Sequence, residues 1–192
     1  LGLMTKLQEL ILTENMLTGA LPNEIQKLSL LRRLAVGGND LTEGIRNLFH
    51  LTQLEEVYGA YNSFEDQLDS ESFRFLTNLR ILDLKNNRLQ GPFPDALWTL
   101  PKLQVLDFHF NALDGHLREI DDKYNPVLEY LDVSENFFGG GMPTTLNKVT
   151  NLVHLDVSSN RFEKTLKGDY SALTNLKVLL MTDSSNFGPQ PI

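Results

Sequence analysis

The chain has 192 residues, a length that accommodates one ordinary domain with a core of useful size. Its formal net charge of -8 disfavours a nucleic-acid binder, because affinity for the phosphate backbone rests largely on lysine and arginine. The absence of cysteine excludes disulfide bonds, thiolate catalysis and cysteine-ligated zinc within the chain.

The sequence leaves the cellular compartment open. No run approaches the roughly 18 to 20 apolar residues of a membrane span, and no signal peptide opens the chain. We therefore expect no direct membrane insertion in this segment. The lack of cysteine fits a reducing cytosol, and it fits equally well the middle of a secreted protein whose disulfides lie in terminal caps. No Asn-x-Ser/Thr glycosylation sequon is present.

Asparagines recur along the chain at a nearly constant interval. The spacings are 24, 23, 25, 24, 25 and 24 residues between Asn15, Asn39, Asn62, Asn87, Asn111, Asn136 and Asn160. The residue two after each asparagine is apolar, and so are the residues three, five and eight before it, with Gly59 as the exception. Such a period indicates repeats of one structural unit stacked on one another.

The apolar spacing before each asparagine predicts a short strand with one face inward, as for Leu82 and Leu84 in the fourth repeat. Stacking these strands gives a parallel sheet with a spacing of about 4.8 Å. The asparagine follows the strand where the chain turns inward, and its amide can satisfy backbone groups that the turn would otherwise bury unpaired. We therefore interpret the seven asparagines as a structural ladder.

The residues that follow the asparagines narrow the type of repeat. Segments 17–25, 89–97 and 138–146 read L-x-G-x-Φ-P-x-x-Φ, where Φ is an apolar residue. Together with the preceding L-x-x-L-x-L-x-x-N-x-L pattern, they resemble the plant-type leucine-rich repeat of receptor-like kinase ectodomains and polygalacturonase-inhibiting proteins. The resemblance covers essentially the whole chain. Proline after a short extended stretch fits the convex side, where a 3₁₀ turn can follow.

The resemblance implies an α/β-type repeat solenoid with about seven full repeats of 23–25 residues. This solenoid is a right-handed coil with a concave parallel β-sheet, a second short strand beside that sheet, and a convex side of short 3₁₀ helices and loops. We expect residues 1–192 to form a single domain that is a fragment of a longer protein. Partial repeats are predicted at 1–6 and 176–192, and the terminal caps that solenoids require are not visible.

Four repeats depart from the Gly-x-Φ-Pro element. The glycine position holds Glu43, Asp66 or Lys164, and the proline position holds Arg46, Arg118 or Lys167. Segments 65–71 and 118–126 also carry additional charged residues. We interpret these departures as ordinary length variation in convex loops, with a partner site on that side as the alternative.

Functional side chains are expected on the concave sheet, between the inward positions that build the core. The candidate binding residues are Tyr58, Tyr61, Asp83, Lys85, Asp107, His109, Phe110, Tyr130, Asp132, Glu135, His154 and Asp156. The four aromatic residues among them are typical anchors of a protein interface, although aromatic residues also favour strands for packing reasons.

The aspartates of this set occupy the same position in four successive repeats and predict a carboxylate ladder of about 5 Å per step. Such a ladder could bind a basic partner or a calcium ion. Aspartate is also common at this position in the plant-type repeat, and that habit explains the ladder without a ligand. We assign no metal site from the sequence.

Three side chains of the concave face, Asp107, His109 and Ser134, superficially suggest a Ser-His-Asp arrangement. A flat sheet offers no cleft to exclude water, and the sequence contains no nucleophile elbow or evident oxyanion hole. We therefore predict no catalytic residue, no cofactor and no enzyme activity.

The leading functional hypothesis is a non-catalytic module of a receptor-like or secreted protein that recognises a protein or peptide partner, and the carboxylate ladder favours a basic partner. The resemblance implies an extracellular location or a membrane-protein ectodomain. Two alternatives remain open at this stage: an enzyme inhibitor similar to the polygalacturonase-inhibiting proteins, and a structural scaffold in a larger assembly.

Overall fold

The computed structural model describes residues 1–121, 123–124, 126–163 and 168–182. Over these residues the chain winds into a coil that contributes one short strand per turn to a common sheet. Its strands are β1 (Glu9–Ile11), β2 (Thr18–Ala20), β3 (Arg33–Ala35), β4 (Asp40–Glu43), β5 (Glu56–Tyr58), β6 (Ile81–Asp83), β7 (Gln90–Pro92), β8 (Val105–Asp107), β9 (Ala112–Asp114), β10 (Tyr130–Asp132), β11 (Gly139–Gly140), β12 (His154–Asp156), β13 (Arg161–Phe162) and β14 (Val178–Leu180).

In the described part of the chain, the main sheet has eight parallel strands in the order β1-β3-β5-β6-β8-β10-β12-β14. Seven of them belong to the repeats marked by the asparagines, and β14 belongs to the next repeat. Equivalent positions are in register, so that Leu106 pairs with Leu131 and Leu131 with Leu155. The predicted leucine-rich-repeat coil with a parallel sheet is confirmed.

The central residue of each inner strand of the main sheet, from β3 to β12, points into the coil and forms the core. Leu34, Leu106 and Leu131 have no exposed surface. Gly59, the exception to the apolar pattern, is explained by its neighbours. A Cβ atom there would lie 2.8 Å from Cδ2 of Leu84, whose side chain already occupies the inward space of the third repeat.

Six of the seven asparagines connect their own turn of the coil to the preceding turn, whereas Asn15 contacts only its own turn. Nδ2 of Asn136 donates to the carbonyl oxygens of Val133 and Ser134 in its own turn, at 3.2 and 3.0 Å, and to that of Phe108 in the preceding repeat at 2.9 Å. Its Oδ1 accepts from the backbone N–H of Leu113 at 3.0 Å. The same four kinds of contact occur at Asn39, Asn62, Asn87, Asn111 and Asn160.

Prolines precede most of the short helices on the convex side. Pro22, Pro94 and Pro143 have extended backbone and stand immediately before the 3₁₀ helices Asn23–Lys27, Asp95–Thr99 and Thr144–Lys148. A fourth 3₁₀ helix, Ile45–His50, follows Gly44, whose φ of 109° is in the left-handed region. None of the described helices is long and apolar enough to cross a bilayer.

The second strand of the repeat is discontinuous. In the described residues it forms three separate parallel pairs, β2 with β4, β7 with β9, and β11 with β13. The gaps fall where the third and fifth repeats carry the charged segments, and there only isolated bridges connect Gln67 with Gln90 and His116 with Gly139.

The departures from the repeat pattern do more than lengthen loops. In the third repeat, residues Ser70–Phe73 form the only α-helix of the described chain, α1, and its buried Phe73 packs edge-on against Phe49 with ring centroids 4.6 Å apart. Asp66 accepts hydrogen bonds from the backbone N–H groups of Gly44, at 3.1 Å, and Ile45, at 3.4 Å. The interpretation as simple length variation therefore needs correction for this repeat.

The fifth repeat uses an acidic residue in the same way. The Glu119 carboxylate accepts from the backbone N–H groups of Thr144 and Thr145, at 3.0 and 2.9 Å, and from their hydroxyls. It thereby satisfies free donors at the start of a 3₁₀ helix in the next repeat. Lys164 and Lys167, the departures of the seventh repeat, lie outside the described residues.

Candidate functional site

The concave face is built by the residues on either side of the inward leucine in each strand. Side chains alternate between the two faces of a strand, so the first and third residues of these three-residue strands point away from the core. In parallel register, equivalent residues of successive repeats form rows across the sheet. One row contains Tyr58, Asp83, Asp107, Asp132 and Asp156 in that order.

The four aspartates of this row form an acidic ladder, a name we use below for Asp83, Asp107, Asp132 and Asp156. Two of them are buried, with relative exposures of 5% for Asp107 and 8% for Asp132. Nζ of Lys85 lies 3.4 Å from Asp83 Oδ2 and 3.2 Å from Asp107 Oδ2. In the part of the chain that the structure describes, no cation forms an ion pair with Asp132 or Asp156.

The ionisation of the ladder reflects this burial. Burial raises the pKa of Asp107 above its usual range, against the opposing effects of the His109 backbone N–H and Lys85. Burial likewise raises the pKa of Asp132, and the charges of Asp107 and Asp156 raise it further. Burial lowers the pKa of Lys85, but the neighbouring carboxylates outweigh that effect and raise it above its ordinary value. The ladder is therefore a site of incompletely balanced negative charge.

Tyr130 stands at the centre of the acidic half of the sheet. Its hydroxyl donates to Asp132 Oδ2 at 3.4 Å, and its ring stacks on the His154 ring with centroids 4.3 Å apart and planes 10° from parallel. Burial, followed by the charges of Asp107 and Asp132, raises the pKa of Tyr130 far above its ordinary range. The phenol therefore stays protonated and remains a hydrogen-bond donor.

The three side chains of the suspected catalytic set do not form a relay. Nδ1 of His109 contacts Ser134 Oγ at 2.8 Å, so this pair is adjacent as the sequence predicts. The Ser134 hydroxyl, however, donates to Asp132. The Asp107 carboxylate accepts from the backbone N–H of His109 and from Lys85, and so it does not orient the imidazole.

The other end of the concave face has a different chemistry. Arg33 lies 3.5 Å from the Glu56 carboxylate and 5.4 Å from the centroid of the Tyr58 ring. The Tyr58 hydroxyl donates to Glu56 Oε2 at 3.3 Å. Burial and the Glu56 charge raise the pKa of Tyr58. Here Arg33 and Glu56 balance each other's charge.

The remaining predicted residues lie along the edge of the sheet where the strands end. Tyr61 and Phe110 are 59% and 53% exposed, and Glu135 is also exposed. Each immediately precedes one of the seven repeat asparagines and has a φ of 51° to 56°, a left-handed conformation that is uncommon for these residue types. The twelve predicted residues thus fall into three groups. Tyr58 lies in the charge-paired region, and Tyr61, Phe110 and Glu135 lie on this exposed edge. The third group is the acidic ladder with its neighbours Lys85, His109, Tyr130 and His154.

Two contributors to the face, Ser134 and Arg33, lie outside the twelve predicted binding residues, and the sequence pointed to Ser134 only as part of a catalytic set. Ser134 holds Asp132 through its backbone N–H and hydroxyl, and Arg33 balances Glu56. The serine two residues after a ladder aspartate occurs again at Ser158, whose backbone N–H donates to Asp156 at 2.9 Å. This Asp-x-Ser spacing is the signal that could have identified the serines.

The geometry defines a leucine-rich-repeat solenoid, and the comparisons with known proteins agree. Residues 52–113 and 6–28 match sequence profiles described as leucine rich repeat. Receptor-like protein 35 of Arabidopsis thaliana is 34% identical over 143 residues, which cover 73% of this chain and 14% of that protein. Receptor-like protein 34 of the same plant is 33% identical over 74% of this chain and 12% of its own length.

Solved structures extend the likeness to three dimensions. The crystal structure of a TDR receptor matches 95% of this chain and 32% of that one, with a TM-score of 0.86 and 29% identity. The ectodomain of the Arabidopsis thaliana receptor kinase GASSHO1/SCHENGEN3, solved in complex with Casparian strip integrity factor 2, matches 95% of this chain and 25% of its own, with a TM-score of 0.81 and 26% identity.

The chain belongs to the plant-type leucine-rich-repeat family. It spans about one seventh of the length of the receptor-like protein 35 that it resembles.

Proposed function

We propose that this chain is a non-catalytic recognition module of a receptor-like or secreted protein, and that it binds a protein or peptide partner outside the cell on its concave face. The receptor-like relatives and the GASSHO1/SCHENGEN3 ectodomain with its bound factor support this class of function. The observation that carries the proposal is the acidic ladder, a row of buried and partly buried carboxylates on the sheet with Lys85 at one end.

The partner that fits this face carries a basic segment. A lysine or arginine side chain placed over Asp132 and Asp156 would meet two carboxylates that form no ion pair among the described residues. Complementary charge at an interface favours the correct partner and excludes acidic ones. The protonated Tyr130 hydroxyl and the exposed rings of Tyr61 and Phe110 would add hydrogen-bonding and apolar contacts.

The non-catalytic part of the proposal rests on the contacts of Ser134. Its hydroxyl donates to Asp132, and the neighbouring His109 receives no orienting contact from Asp107. A nucleophile held by a carboxylate, without a base that is itself oriented, lacks the arrangement that activates serine. We therefore assign His109 and Ser134 to the recognition surface.

A displayed library of random peptides, selected against the purified chain in buffer containing EDTA, tests this function. We expect the selected peptides to be enriched in lysine and arginine. The double variant Asp132→Asn/Asp156→Asn should bind them at least about tenfold more weakly, because it removes the two charges that are unpaired in the described part of the chain while keeping one acceptor oxygen at each position.

The matched control is Glu24→Gln/Glu43→Gln, which removes the same charge from exposed positions away from the main sheet. It should leave affinity within about twofold. Selection of peptides without basic residues would contradict the basic partner. Equal affinity for the chain and for the concave double variant would contradict the concave face as the binding surface.

A further inference from the structure

We propose that Asp132, His154 and Asp156 form a binding site for a single divalent transition-metal ion, with Zn²⁺ as the best-matched ion. Asp132 and Asp156 are paired residues of the adjacent strands β10 and β12. His154 is two residues before Asp156 on β12, so its side chain is on the same face of the sheet. One ring nitrogen of His154 and one oxygen of each carboxylate all lie within 4.8 Å of one another.

The set of donor atoms selects the kind of ion. Calcium requires six to eight oxygen ligands, whereas one imidazole nitrogen with two carboxylate oxygens suits zinc. Zinc bonds of about 2.0–2.2 Å in a tetrahedral site place the ligand atoms about 3.4 Å apart. Side-chain rotations that move the three groups together by about 1 Å reach that arrangement. Three protein ligands leave the fourth position for water or for a ligand group.

A second observation involves the imidazole of His154. Its Nε2 atom is enclosed and forms no hydrogen bond, while the ring is held against Tyr130 by stacking. Buried polar atoms are nearly always paired, and an unpaired one needs an explanation. Rotation of the ring toward the two carboxylates would give a ring nitrogen a metal partner.

The charge around the site also favours a cation. Lys85 balances the Asp83 and Asp107 end of the acidic ladder, and the described residues provide no ion pair for the other two aspartates. One oxygen of each is held in place by a backbone N–H, from Ser134 at 2.9 Å and from Ser158 at 2.9 Å. The second oxygen of Asp132 accepts from the Tyr130 hydroxyl at 3.4 Å, a long contact. A divalent ion would neutralise this concentration of negative charge.

Calorimetric titration of the untagged, EDTA-stripped chain with ZnCl₂ alone tests the site, and it requires no knowledge of a partner. We expect saturable binding of one ion per chain and a rise in the thermal unfolding midpoint on addition of zinc. Both His154→Gln and Asp156→Asn should weaken binding at least about tenfold, because losing a ligand costs no less than losing an outer-shell partner, which costs ten- to hundredfold.

The matched controls are His50→Gln and Asp114→Asn, which remove a histidine and an aspartate from exposed positions away from the main sheet. They should retain zinc affinity within about twofold. Circular dichroism of each metal-free variant reports whether it is folded, and each of the two site variants alone is sufficient for the test.

Three results would overturn the proposal: no saturable zinc binding by the chain, unchanged affinity in the folded site variants, or equal binding of Ca²⁺ that does not depend on His154. Failure of the peptide selection in EDTA leaves this titration unaffected, so the two proposals stand or fall separately.

Discussion

The two halves of the concave face have the same backbone repeat, but they differ in whether their charged side chains are paired with opposite charges. Around β3 and β5, Arg33 and Glu56 are partly exposed and lie 3.5 Å apart. Around β8 and β10, Asp107 and Asp132 are buried, and the nearest balancing cation is Lys85 at one end of the row. The same repeat thus produces a charge-paired half and an acidic half.

The two halves differ in what their charged groups cost the folded state. Exposed ion pairs contribute little to folding, so the paired half is close to neutral energetically. Burial that raises the pKa of Asp107 and Asp132 means that the folded state disfavours their charged forms. The proposed basic partner would offset this cost by supplying the missing positive charge.

The largest effect should be one that both halves share. Asn136→Ala in the acidic half and Asn39→Ala in the paired half each remove an amide with four backbone contacts. We expect each to lower the free energy of unfolding by about 2–3 kcal/mol, because the abandoned backbone groups lose their partners inside the coil. Urea denaturation measures this loss.

The control for the asparagine variants is Asn15→Ala. Asn15 is exposed and donates to Leu12 and Thr13 in its own turn, so we expect a loss below about 1 kcal/mol. A large difference between the Asn136 and Asn39 variants would show that the halves differ in their backbone frame as well as in charge.

A smaller effect should separate the halves. Lys85→Met removes the cation that contacts Asp83 and the buried Asp107, while keeping an apolar side chain of similar length. We expect a loss of about 1–2 kcal/mol at pH 7, because a buried charged acceptor loses its charge-assisted partner. Thermal and urea unfolding of the variant beside the unmodified chain test this, and an unchanged midpoint would show that the ladder does not depend on Lys85.

The carboxylates that cap 3₁₀ helices on the convex side should contribute the same stability in both halves of the coil. Asp66→Ala and Glu119→Ala each remove a carboxylate that accepts from backbone N–H groups of a neighbouring repeat. We expect a loss of about 1 kcal/mol for each, as for other helix N-caps. Asp114→Ala, at an exposed position, is the control, and unequal losses at Asp66 and Glu119 would extend the asymmetry to the whole coil.

The smallest effect is expected in the paired half. Arg33→Gln breaks the contact with Glu56 but leaves both positions solvated, so the loss should stay below about 0.5 kcal/mol and decrease further with added salt. Unfolding at low and high ionic strength measures it. A loss as large as that of Lys85→Met would remove the distinction between the two halves.

Much of the fold was predictable because the same sequence pattern occurs in seven successive repeats. The inward leucines, the asparagine turns and the Pro-x-x-Φ segments are local patterns, and the strands and 3₁₀ helices follow them closely. The third repeat was not predictable in this way. Its α-helix depends on two contacts: Asp69 accepts from the Glu71 N–H, and Phe73 packs against Phe49 of the preceding repeat. Only the second contact crosses between turns.

The candidate face was predictable as a set of positions and less so as a set of contacts. Alternation along a strand identifies Asp107, Asp132 and Asp156 as neighbours, since the stacking of repeats is regular. It does not identify which neighbouring side chain each of them contacts. Ser134 bonds to Asp132 instead of completing a relay with Asp107, and His154 stacks on Tyr130.

The sequence by itself determined the coil, because the hydrophobic period and the asparagine at each turn are satisfied by one stacking of short strands. Only the tertiary structure decided where charge is balanced and where it is left over. Burial and side-chain geometry arise from packing one turn against the next, and residues that are about 24 positions apart in the chain then share one dielectric environment.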